Sequence, residues 1–99
     1  MYKYAFRFSY NGTTQGQVYS FGRETITGAN ISRAGAGSYS VQGINVVAGA
    51  MAFSGTGFNT SQSGNRVVTS FPLATKLDIF LYNQSNTQVD GDVCIFTIP

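Results

Sequence analysis

The sequence predicts an all-β protein: a single antiparallel β-sandwich of seven or eight strands, with the jelly roll among the arrangements that fit. Three observations carry this. Apolar residues recur at every second position in several segments, which sends successive side chains to opposite faces of an extended chain. Turn formers punctuate these segments roughly every 8 to 12 residues, the spacing of sandwich strands. Gly, Ser, Thr and Asn make up 39 of the 99 residues, alongside eight Phe and six Tyr. That mixture suits short strands joined by tight turns.

The first strand follows from "YKYAFRFS". Tyr2, Tyr4, Phe6 and Phe8 fall on one face, and Lys3, Ala5, Arg7 and Ser9 on the other. Asn11-Gly12 then predicts a tight turn, because both residues tolerate positive φ. "GQVYSFGR" returns antiparallel, with Lys3, Arg7 and Arg23 keeping the outer side of the hairpin soluble. "ETITGANISRAGAGSYSVQGINVV" supplies two more strands around the flexible "RAGAG" turn, and Tyr39 and Val41 begin the return. "INVVAGAMAFSG" is a further strand segment. Its "VAGAMA" run mimics a helical turn, but two nearby glycines and the lack of a capping signal argue against a helix. "GTGFNTSQSGN" is a long polar loop around Phe58. "RVVTSFPL" is a strand ending at Pro72, where the ladder loses a donor. "TKLDIFLY" and "GDVCIFTIP" close the chain as a hairpin.

One domain accounts for residues 1–99, and a chain of this size buries roughly two-thirds of its unfolded surface. The net charge of +2 comes from six cations scattered without a basic run, so nucleic acid is not an expected partner. No segment nears the roughly 18 apolar residues of a spanning helix, and membrane insertion is not expected. "MYKYAFRFSY" alternates charge and aromatic, unlike a secretory signal. The initiating Met points to a complete reading frame made in the cytoplasm. Cys94 has no second cysteine to pair with, and its place between Val93 and Ile95 predicts a small buried thiol.

Catalytic chemistry finds little to work with. There is no His, the commonest general base and metal ligand. The acids are Glu24, Asp78, Asp90 and Asp92. Only "DGD" brings two together, and two acids on one turn do not readily face each other across a sugar. They also fall short of the six to eight oxygens of a Ca²⁺ site, so the expectation is an ordinary turn. "RAGAGS" and "SGTGFN" lack the Lys and following helix of a phosphate loop. The N-x-Ser/Thr triplets at Asn11, Asn30, Asn59 and Asn83 arise from composition. A non-enzymatic protein without a cofactor or metal is the expectation.

The aromatic surplus says more. In "LDIFLY" Phe80 and Tyr82 oppose Leu77, Ile79 and Leu81. In "VCIFTI" Cys94, Phe96 and Ile98 oppose Val93 and Ile95. Strands that are apolar on both faces are rarely left wet. A homo-oligomer interface is therefore expected at Leu77, Ile79, Phe80, Leu81, Tyr82, Val93, Ile95, Phe96 and Ile98. The competing use is carbohydrate stacking, a lectin-like role in which Phe58 or Tyr82 meets a pyranose and Asn59 and Asn83 bind its hydroxyls. The lack of Trp weighs against it.

"ANISRAGAGSYSV", "GTGFNTSQSGNRVVTSF" and "LDIFLYNQSNTQVDGDVCIFTIP" together resemble a β-sandwich module of bacteriophage structural proteins, often found at the C-terminal ends of tail fibres. The resemblance covers residues 29–99 and lies in the "ISRAGAGSYSV" strand pair, the "GFN" loop, the "YN" that precedes a Ser/Asn/Gly turn, and the Val-, Ile- and Phe-rich last strand. It implies a virion component assembled in the host cytoplasm as a homotrimer or other symmetric oligomer. Its partners would be other virion proteins and a host surface glycan. Fibre modules usually follow a long shaft, whereas Met1 here stands directly at the sandwich. That departure points toward a short capsid-decorating or head-fibre protein.

Overall fold

The computed structural model describes residues 2–44, 49–53, 66–73, 75–83 and 85–97. Two antiparallel sheets pack face to face. The first contains β1 (Ala5–Asn11), β2 (Thr14–Gln15), β3 (Tyr19–Ser20), β6 (Ala50–Phe53) and β9 (Asp92–Thr97). Both β2 and β3 pair with β1, so they read as one interrupted strand, and the order continues β1-β9-β6. The second sheet contains β4 (Ile31–Gly35), β5 (Ser38–Gln42), β7 (Arg66–Pro72) and β8 (Lys76–Asn83), in the order β4-β5-β8-β7. Consecutive strands β4 and β5, and β7 and β8, are hairpins within one sheet. A jelly roll mostly sends consecutive strands to opposite sheets, so the sandwich here is of the hairpin type.

The alternation decides which face each strand buries. Tyr4, Phe6, Phe8 and Tyr10 of the first sheet meet Tyr39, Val41, Leu77, Ile79 and Leu81 of the second, with Val93 and Ile95 beside them. Seven of these, Phe6, Val41, Leu77, Ile79, Leu81, Val93 and Ile95, are fully excluded from solvent. The sheets also interlock through rings: Phe8 meets Tyr39 edge-on at 5.3 Å, and Tyr10 stacks on Tyr39 at 5.1 Å. Pro72 sits on β7, an edge strand, where its missing N–H costs no ladder bond. The chain ends are tied: Tyr4 N donates to Thr97 Oγ1 at 3.0 Å, and Thr97 N donates to Tyr4 O at 2.9 Å.

Several local details differ from the sequence expectation. The first turn is centred on Gly12-Thr13, one residue later than Asn11-Gly12, with Asn11 paired to Thr14 and φ +60° at Gly12. Residues Gly28–Asn30 form a 3-10 turn, closed where Thr27 N donates to Asn30 Oδ1 at 3.0 Å. Tyr2 leaves the inward face of the first strand, and its ring lies 5.1 Å from Phe96.

The larger correction concerns the chain's last two strands. They do not form a hairpin. β8 pairs with β5 and β7, and β9 pairs with β1 and β6. The connection between them crosses from one sheet to the other. The physical reason lies in burial: both strands are central in their own sheets, and each aims one apolar row into the shared core.

Candidate functional site

The acidic residues separate in space into structural roles. Glu24 pairs with Lys3 at 3.5 Å and Asp78 with Lys76 at 3.7 Å, both at the surface. Asp92 is buried at the start of β9. Among the described residues no three His, Cys, Asp or Glu side chains are grouped to hold a metal ion.

Asp90 belongs to a clasp that sequence reasoning missed. Arg33 and Tyr39 are opposed across β4 and β5, so their side chains share the inward face. Both reach Asp90, at the end of the crossover from β8. Arg33 Nε and Nη2 donate to its two carboxylate oxygens at 3.0 and 2.8 Å, and Tyr39 Oη donates at 2.8 Å. Gly37 N adds a fourth bond at 3.2 Å. Burial alone would raise the Asp90 carboxyl, but the hydrogen bonds from Arg33, Tyr39 and Gly37 outweigh it and hold the group below its ordinary value. Burial and the bond to Asp90 push the Tyr39 phenol well up, so it stays a donor. The signal in the sequence was the parity of Arg33, which puts a cation on the same face as Ile31 and so calls for a buried partner.

The residues expected at an oligomer interface divide into groups. Leu77, Ile79, Leu81, Val93 and Ile95 are buried in the protein's own core and offer no surface to another copy. That corrects the expectation for these five. Phe80 and Tyr82 are half-buried on the outer face of the second sheet, among Ser38, Ser40 and Asp78. Asn83 Oδ1 accepts from Ser85 N at 2.9 Å and Thr87 N at 3.1 Å, so its carboxamide oxygen is engaged in its own turn. Ile98, Phe58 and Asn59 lie outside the described residues.

Phe96 has a different setting. On β9 it points away from the core, at the middle of the first sheet. Around it stand the rings of Tyr2 at 5.1 Å, Phe21 at 5.8 Å and Phe53 at 6.1 Å. Met51 is its cross-strand partner on β6. Tyr19, on the far side of β1, carries the Arg7 guanidinium over its ring at 4.2 Å. Phe21 reaches the group because Gly22 lets residues 21–24 run tightly along the first strand. A Cβ at Gly22 would stand 2.5 Å from Ala5 N. Six large apolar side chains among the described residues are at least 40% exposed, and Tyr2, Tyr19, Phe21, Met51 and Phe53 are five of them. Four of these five flank Phe96 and the fifth lies across β1. The sixth, Leu73, is elsewhere.

Cys94 shares this outer face, paired across the strands with Arg7 and Phe53. Burial raises its thiol above the ordinary value against the nearby Arg7 charge, so it stays protonated and unreactive at neutral pH. Comparison with known proteins finds no matching family model, no matching curated protein and no matching solved structure.

Proposed function

We propose that this chain is a non-enzymatic structural protein of a bacteriophage or virus particle, a β-sandwich that self-assembles and docks on the virion. One observation carries the reading. The sandwich fills its core with its own side chains, yet keeps an aromatic group on the outer face of one sheet. Water-facing rings packed on one another favour association over catalysis. The similarity of residues 29–99 to phage fibre modules supplies the virion setting, and the low charge suits a protein that meets other proteins. Glu24 and Asp78 act in ion pairs and Asp90 in a clasp, which fits a structural part.

Mass spectrometry of purified particles produced from the genome that encodes the chain tests this. The expected result is the protein present in a fixed molar ratio to the shell or tail subunit, resistant to salt washing. Its absence from particles, with the protein present in the infected cell, would overturn the reading.

A further inference from the structure

The outer face of the first sheet has the make-up of an interface core, and we infer that it is covered by the same face of a second copy of this chain. The inference deepens the self-assembly reading and rests on it. Protein interfaces concentrate Tyr, Phe, Met and Arg at their centre and deplete Lys and Glu there. Tyr2, Phe21, Met51, Phe53 and Phe96 form that centre, and Tyr19 with Arg7 extends it across β1. The opposite outer face of the sandwich differs, with Ser32, Ser38, Ser40 and Gln42 along β4 and β5 and with Phe80 and Tyr82 on β8 half-buried rather than exposed.

Area and charge both point to a copy of the chain. At roughly 200 Å² for a large side chain, exposures of 40–53% leave on the order of 400–500 Å² of Tyr2, Tyr19, Phe21, Met51 and Phe53 open. A standard interface buries about 800 Å² per partner, so these side chains supply about half of what a stable pair needs and the surrounding polar rim would supply the rest. The rim carries both signs. Glu24 and Lys3 stand 3.5 Å apart, with Arg23 next to them. A nucleic acid or another uniformly anionic partner would favour cations alone, whereas a mixed rim is complementary to itself under a two-fold rotation. A sugar would need hydrogen-bonding groups interleaved with the rings, and Tyr19 Oη already donates to Gln17 Oε1 at 3.2 Å.

Sedimentation velocity on the full chain and on Phe21→Lys and Phe53→Lys variants tests this. Both residues are 53% exposed, and far-ultraviolet circular dichroism checks that each variant keeps its sheets. Gln42→Lys, on the other sheet, is the control. The expected result is an associated native protein, monomeric folded Phe21→Lys and Phe53→Lys variants with affinity reduced at least about a hundredfold, and an associated control. Association retained in the folded Phe variants would overturn this surface while leaving self-assembly standing. A native chain that stays at 10.6 kDa throughout the micromolar range would overturn both. It would leave the rings to a different virion protein.

Discussion

Four hydrogen bonds from three residues converge on the Asp90 carboxylate, all from the hairpin of β4 and β5. They pin the crossover between the sheets to the hairpin it passes. Asp90→Asn keeps the shape but removes the charge and turns a donor toward Arg33. Loss of a charge-assisted bond costs about 1–3 kcal/mol, read as a lower urea midpoint with an unchanged slope. The pH dependence has a definite sign. Donors hold the native Asp90 below the ordinary carboxyl value of 3.8, so the ionised form stabilises the fold. That contribution is complete above the value of the unfolded chain and drains away as pH falls through the lower native one. The urea midpoints of the native protein and Asp90→Asn are therefore expected to differ at pH 7, to begin converging as pH falls below about 4, and to meet only below the lower native value. Gly37 supports the same junction. Its φ is +67°, and a Cβ there would stand 2.5 Å from Leu81 O and 2.7 Å from Val89 O. Gly37→Ala is expected to cost at least about 1–2 kcal/mol from the left-handed backbone alone, a fall of roughly 5–10 °C in thermal midpoint.

Strands β8 and β9 explain both what the sequence revealed and what it hid. Period-two alternation correctly separated Leu77, Ile79 and Leu81 from Phe80 and Tyr82, and Val93 and Ile95 from Cys94 and Phe96. It could do so because each side chain's face follows from its place in the pleat. Alternation says nothing about which strand lies alongside. Nearness in the chain suggested a hairpin, whereas burial of two apolar rows is better met by placing one strand centrally in each sheet. The fold class and the turn at Ala36-Gly37 were therefore readable, whereas the donor expected to be lost at Pro72 costs nothing because β7 is an edge strand. The crossover was not, nor was the Arg33–Asp90 pair, 57 residues apart. The aromatic site was partly readable: Phe96 was named, but Tyr2, Phe21 and Phe53 join it only through tertiary packing across three strands and a glycine-dependent close approach. The core assignment makes its own prediction. Leu81→Ala, at a fully buried position, should destabilise by about 2–5 kcal/mol. Chemical denaturation should give the same decrement at low and high protein concentration, because Leu81 serves the protomer and not a contact between protomers.

At the scale of the whole molecule the two outer faces are unequal. One carries serines along β4 and β5 beside half-buried Phe80 and Tyr82, and the other presents exposed rings around Phe96. With no disulfide available to a chain of 99 residues, burying that second face adds apolar contact that a lone sandwich forgoes, at roughly 25 cal/mol per Å². Association and stability are then linked, since anything that binds only the folded state raises the unfolding free energy with concentration. Hydroxyl-radical footprinting across a dilution series measures coverage of the face itself. As concentration rises, oxidation of Tyr2, Phe21, Met51 and Phe53 is predicted to fall together, while Leu73, 42% exposed and away from the face, keeps a constant rate. Constant oxidation of all five residues across a range in which the protein is demonstrably associated would contradict the account.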